Sequence, residues 1–186
     1  MILNEQANKP SGNHAPDFEL PGVDGKVHHL STYLDNFRAI AVIFMCNHCP
    51  QVELYLNRLK QIQAKFANQN FTLIGINAND SRQNPEDSFV GMQHFALQQE
   101  LNFPYLWDSS QDVAVSFQAK TTPEVFLIDN SGLICYQGAI DDNPTQPELV
   151  RKPYLHDSIV ALLAGENITI TSQKAMGSSL KWRQLS

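Results

Sequence analysis

Six consecutive apolar residues, Ala39-Ile40-Ala41-Val42-Ile43-Phe44, run to within two positions of the motif Cys46-Asn47-His48-Cys49-Pro50. A run with no polar alternation suits a strand covered on both faces, in the middle of a sheet. Beyond the motif, Val52, Leu56, Leu59, Ile62 and Phe66 recur at spacings of three and four, with Glu53, Asn57, Lys60 and Lys65 between them. That is the period of an amphipathic helix. Strand, cysteine pair and helix follow one another without a gap, which confines the chain to folds that cover a sheet with helices.

A second run, Phe71-Thr72-Leu73-Ile74-Gly75-Ile76-Asn77, reads as another buried strand and leads into a polar loop from Asn79 to Asp87. Ser88 is an N-cap for a helix reaching about Glu100, because its hydroxyl accepts from an otherwise unpaired N–H. Pro16 to Leu20 and Lys26 to Leu30 flank Asp24-Gly25, and Val125 to Asp129 and Leu133 to Gln137 flank Asn130-Ser131-Gly132. Both read as β-hairpins. Leu155, Ile159, Leu162 and Leu163 mark a last helix ending at Gly165, where glycine takes a left-handed conformation at little cost. The expected class is α/β, a central mixed β-sheet flanked by helices. It comprises an arm at 1–14, one domain at 15–165 that begins with the N-terminal hairpin, and a C-terminal tail at 166–186 packed through Ile168, Ile170 and Trp182.

Lys and Arg number 13 against 19 Asp and Glu, a net charge of −6 with no basic run to track a phosphate backbone, so nucleic acid is not an expected partner. Nor is a membrane, since no apolar run reaches the roughly 18 residues a span needs and Met1 to Pro10 has neither a basic nor an apolar leader region. A cytoplasmic protein is expected. Three cysteines are too few for a secreted disulfide framework, and in a reducing compartment a close pair points to redox chemistry or metal.

Cysteines three apart at a helix start fall within the roughly 4.4–6.8 Å Cα separation a disulfide tolerates. Unpaired N–H groups and the positive end of the helix dipole stabilise a thiolate there, so Cys46 is the expected nucleophile and Cys49 the resolving thiol. His48, when cationic, would add to that stabilisation and make the disulfide a stronger oxidant; as a solvated loop residue it would do neither. Asn47 reads as an exposed spacer facing the partner, and Pro50 as the first helical residue, where a missing N–H is harmless. Covalent haem requires Cys-x-x-Cys-His, and here Pro50 follows Cys49. Zinc would take Cys46, Cys49 and His48 but finds no fourth ligand beside them, so neither metal nor any other cofactor is expected. Cys135 reads as a small buried hydrophobe. Peroxide reduction by one activated cysteine is the alternative, although Ile43 stands three before Cys46, where a hydroxyl would polarise the peroxide.

Ala15-Pro16-Asp17-Phe18, the apolar strand, the cysteine motif and Thr122-Pro123-Glu124-Val125-Phe126-Leu127-Ile128-Asp129, in that order, resemble the thioredoxin-like redoxin superfamily over Ala15 to Gly165. Within it the chain is similar to a bacterial group of thioredoxin family or alkyl hydroperoxide reductase/thiol-specific antioxidant (AhpC/TSA) proteins. The further motifs are Asn77-Ala78-Asn79-Asp80, Pro85 to Ser88, Tyr136 to Asp142 and Lys181-Trp182. The resemblance implies a thioredoxin-like fold and a cis Thr122-Pro123 bond beside the cysteines, with backbone there offered to a substrate strand. An X-Pro bond is trans by default, so the residues alone do not give this. Many relatives carry a cysteine directly before Thr-Pro and another before Lys-Trp, at the positions of Thr121 and Ser178, so here Cys46 and Cys49 are expected to work alone. Met45 replaces the aromatic residue before the nucleophile, and Ile40 the buried aspartate of ordinary thioredoxins. That substitution makes Glu124 the candidate base for Cys49, with a solvated carboxylate at a strand start as the other reading. The implied function is a thiol-disulfide oxidoreductase exchanging electrons between protein or small-molecule disulfides and a thiol reductant. A thiol peroxidase or antioxidant is the alternative, with a redox-regulated binding module or a structural zinc protein behind it.

Overall fold

The structure, a computed structural model, describes residues 12–184; most of the expected N-terminal arm, residues 1–11, lies outside them. β1 (Glu19–Pro21) and β2 (Val27–His29) pair antiparallel as the first hairpin. Leu30, expected to end that hairpin, instead opens a short helix, α1 (Leu30–Asn36), and buries its side chain there. The apolar run is β3 (Ala39–Phe44), buried at every position, and Pro50 opens α2 (Pro50–Phe66) with Cys49 as its N-cap. β4 (Phe71–Asn77), also buried throughout, is followed by α3 (Phe89–Gln98). Ser88 caps α3, its hydroxyl accepting the Gly91 N–H at 3.2 Å. Ser88→Ala is expected to cost about 1 kcal/mol of stability, read as a lower urea midpoint at unchanged slope.

β5 (Tyr105–Trp107) and α4 (Asp112–Phe117) come next; at three and six residues neither is long enough to display a period in the sequence. β6 (Thr121–Thr122) precedes a cis Thr122-Pro123 bond, as the resemblance implies. β7 (Glu124–Asp129) and β8 (Ile134–Gly138) form the second hairpin. α5 (Tyr154–Ala164) stops at Gly165, which takes a φ of 72°. The tail contributes β9 (Ser172–Gln173) and β10 (Ser178–Ser179).

The main sheet has the order β5-β4-β3-β7-β8-β9, with β3 parallel to β4 and antiparallel to β7. This is the mixed sheet of the thioredoxin-like fold. Alternation along β3 explains why the run admits no polar residue. Ala39, Ala41 and Ile43 join a core with Val52 and Leu59 of α2 and Leu155 and Ile159 of α5, while Ile40, Val42 and Phe44 meet Leu30, Ala114 and Phe117 on the other face. Full burial of one such aliphatic side chain contributes about 1.5–3 kcal/mol, so β3 is held from both sides up to its last residue. The Met45 N–H then donates to the Ile76 carbonyl at 2.9 Å, which carries that rigidity to the edge of the cysteine motif.

The tail is seated differently from expectation. Ile168 packs on the first core, but Ile170 and Trp182 are 41% and 39% exposed. Leu180 takes their place, buried in the core that holds Phe44 and Phe117, because the pairing of β10 with β6 fixes which tail side chain turns inward. No helix among the described residues is long and apolar enough to cross a membrane.

Candidate active site

Cys46 and Cys49 lie in the turn between β3 and α2 rather than within the helix, and they are disulfide-bonded with Cα atoms 5.8 Å apart, inside the range that closes without backbone movement. Both are buried, Cys46 at 1% exposure and Cys49 at 6%. Thr122, directly before Pro123, stands against them: its Oγ1 lies 3.1 Å from the Cys49 sulfur and 3.6 Å from the Cys46 sulfur. A hydroxyl both donates and accepts, so this one is able to serve a thiol or a thiolate on either sulfur. Pro50 stands at the first turn of α2, as its missing N–H allows.

Asn47 is not an exposed spacer. It is buried, and its N–H and both polar atoms of its side chain are paired, as burial requires. Its N–H donates to Asp87 Oδ1 at 3.0 Å, its Nδ2 donates to the Glu86 carbonyl at 2.6 Å, and its Oδ1 accepts from Tyr105 Oη at 2.8 Å. Asp87, itself 1% exposed, gathers three more donors. Asn77 Nδ2 meets Oδ1 at 2.9 Å, and Asn79 Nδ2 and Asn84 Nδ2 meet Oδ2 at 3.2 and 3.4 Å. The Tyr105 phenol is pushed well above its usual range by burial first and by the negative charge of Asp87 second, so it stays a donor to Asn47. Periodicity misses this cluster because a polar loop at 79–87 reads as solvated. The available signal was the density of Asn and Asp in Asn77 to Asp80 and Asn84 to Asp87, bracketing the exit of a buried strand.

His48 points outward, half-exposed, and pairs with Glu86 Oε2 at 2.9 Å, a surface contact worth no more than about 1 kcal/mol. The Glu124 carboxylate is occupied locally: its Oε2 accepts the N–H groups of Lys120 and Thr121 at 2.7 and 3.1 Å. Among the described residues the hydrogen-bonding neighbour of the Cys49 sulfur is Thr122.

Cys135 is half-buried rather than buried, and its thiol is pushed up to about 11, by burial first and by Asp129 next. Thiolate is the reactive species. Iodoacetamide labelling of Cys135 is therefore expected to run roughly a thousandfold below that of an ionised thiol at pH 8 and to rise about tenfold per pH unit towards 11, followed by mass spectrometry.

The strand-pairing edge beside the cysteines is filled by the tail. β10 runs antiparallel to β6 with Ser178 opposite Thr122 and Ser179 opposite Thr121, and the Leu180 N–H donates to the Lys120 carbonyl at 2.9 Å. Thr121 and Ser178, where relatives carry cysteines, thus sit on neighbouring strands, one register step apart. A Cβ on Gly177 would overlap the Thr122 carbonyl, so only glycine lets the tail approach this closely. Ser178 Oγ donates to Gln51 Oε1 at 2.9 Å, and the Lys181 N–H donates to Asn79 Oδ1 at 2.9 Å. The tail therefore links the start of α2, the cis-proline loop and the Asp87 cluster.

Thiol-disulfide oxidoreductase ResA of Geobacillus thermodenitrificans is 28% identical over 136 residues, 72% of this chain and 71% of that protein. Among solved structures, an uncharacterized conserved protein from Geobacillus kaustophilus is 32% identical with a TM-score of 0.88, covering 95% of this chain and 94% of its own. A thiol:disulfide interchange protein of the thioredoxin family from Chlorobium tepidum TLS, 20% identical with a TM-score of 0.65 over 83% of this chain and 99% of its own, shares the fold. The model of the AhpC/TSA family matches residues 11–137, the stretch that carries β3, the cysteine motif and the Thr122-Pro123 loop, and the chain belongs to that family.

Proposed function

We propose that Cys46 attacks and Cys49 resolves in a thiol-disulfide exchange. The chain is a thiol-disulfide oxidoreductase, and the observation that carries this is the closed Cys46–Cys49 pair with one hydroxyl, Thr122 Oγ1, in reach of both sulfurs. With the pair reduced, the Cys46 thiolate attacks one sulfur of a substrate disulfide, a mixed disulfide forms, and the first substrate sulfur leaves as a thiolate. Cys49 then loses its proton and attacks the Cys46 sulfur; the intramolecular bond closes and the second substrate sulfur departs. The substrate gains two electrons, the pair loses them, and an external thiol reductant reopens the pair. Cys49 suits the resolving role because it is anchored twice, as the N-cap of α2 and by Thr122.

The partners in this reading are protein or small-molecule disulfides and a thiol reductant, with neither nucleic acid nor membrane involved. A cytoplasmic setting is proposed on the sparse cysteine usage, three in the chain. One observation favours a second reading, that of an antioxidant thiol peroxidase: although Ile43 offers no hydroxyl upstream of the nucleophile, Thr122 places one 3.6 Å from the Cys46 sulfur. Insulin reduction and stopped-flow consumption of hydrogen peroxide by the reduced protein separate the two. Exchange predicts rapid insulin turnover and a peroxide rate no better than that of a free thiol; fast peroxide consumption with idle insulin would reverse the assignment.

A further inference from the structure

We infer that Asp87 is a positioning residue that tunes the Cys46–Cys49 couple through the Asn47 peptide, holding it towards the reducing side; this rests on the exchange reading above. The argument starts from where the Asn47 N–H points. A thiolate on Cys46 draws its stabilisation from nearby N–H groups, and the first one after it in the chain is that of Asn47. Asp87 Oδ1 takes this donor at 3.0 Å. The peptide has no freedom to turn back, since the Asn47 side chain is fixed at both ends by the Glu86 carbonyl and Tyr105 Oη. The donor is thus withdrawn from the sulfur, and a carboxylate is placed one peptide unit away from it.

The carboxylate brings its charge with little compensation. Among the described residues its four hydrogen-bond donors, the Asn47 N–H and the amides of Asn77, Asn79 and Asn84, are neutral. Of the charged or titratable groups around the cluster, Tyr105 from β5 is a neutral phenol and Glu86 from the same loop has His48 as its partner at the surface; Arg82 of that loop is taken up by Asp80 at 3.1 Å, and Lys181 from the tail meets Asn79 through its backbone N–H. On the far side of the sulfurs stands Thr122, uncharged. In a buried site a negative charge at this range opposes a second one, so Asp87 disfavours the Cys46 thiolate. Whatever disfavours the thiolate disfavours the reduced form relative to the disulfide and makes the reduced pair the stronger reductant.

The test is Asp87→Asn, which keeps the size and an acceptor oxygen but removes the charge. Two quantities are read on the otherwise intact chain: the pKa of Cys46 from the pH dependence of iodoacetamide labelling, and the equilibrium of the couple with glutathione buffers. The expected result is a Cys46 pKa lower by about one unit and an equilibrium constant shifted about tenfold towards the dithiol, which is about 30 mV for a two-electron couple. Tyr105→Phe, which loosens Asn47 without touching the charge, is expected to move both by less than threefold. If Asp87→Asn does not fold, Asn84→Lys decides, because it sets an ammonium beside Asp87 Oδ2 from a partly exposed position and is expected to shift both readouts in the same direction. A folded charge variant with Cys46 pKa and equilibrium within twofold of the parent overturns the inference while leaving exchange intact. A parent protein whose pair does not equilibrate with glutathione at all overturns the exchange reading instead.

Discussion

In Cys46→Ser, insulin reduction driven by dithiothreitol falls to the rate of the reductant alone, whereas Cys49→Ser still attacks and accumulates a mixed disulfide visible as a mass adduct. The reason is the division of labour imposed by geometry. A serine hydroxyl is not ionised near neutral pH and does not attack a disulfide sulfur, so loss of Cys46 removes the first bond-forming step. Loss of Cys49 removes only the second, and the Thr122 hydroxyl at 3.1 Å is no substitute for a sulfur that must itself become covalently linked. The opposite pattern, with the adduct on Cys49 in Cys46→Ser, would exchange the two roles. Activity surviving in both variants would remove the motif from the chemistry.

Gly177→Ala works in the other direction, accelerating the reaction while destabilising the protein. A methyl group at this position overlaps the Thr122 carbonyl and crowds Pro123, both backbone atoms without a rotamer to yield, so β10 must lift from β6. Overpacking of this kind costs typically 1–3 kcal/mol. If a partner has to displace Ser178 and Ser179 to reach buried sulfurs, part of that displacement is already complete in the variant. At roughly 1.4 kcal/mol per factor of ten, reduction of the Cys46–Cys49 bond by glutathione then gains on the order of tenfold or more. The check is a pair of measurements on one sample, the urea midpoint and the reduction rate. A lower midpoint with an unchanged rate would show that the tail braces the fold without guarding the site.

The parts of this molecule that were legible in its sequence are those where one residue pattern has one physical solution. β3 admits no polar residue because both of its faces are cores, and that requirement is written in six letters. The cis Thr122-Pro123 bond was legible by resemblance, not by propensity. Asn47 was misread because an amide between two cysteines is indistinguishable by itself from a solvated turn residue. Its burial depends on Asp87 and Tyr105, 40 and 58 positions away, and no local window contains them. Leu180 was missed in favour of Trp182 for a related reason, since bulk suggests burial, whereas the register of a two-residue strand decides it.

The pairing of β10 with β6 also has a chronology. Ser178 and Gln51, joined by a hydrogen bond, are separated by 127 positions in the chain. During synthesis the cysteine pair, its strand and its helix are all complete long before the stretch that closes the neighbouring edge emerges. Until that stretch is made, Thr121 and Thr122 have no β10 to pair with. Of the three neighbours that enclose the sulfurs, α2, the Thr122-Pro123 loop and β10, the strand from the tail is thus the latest to arrive.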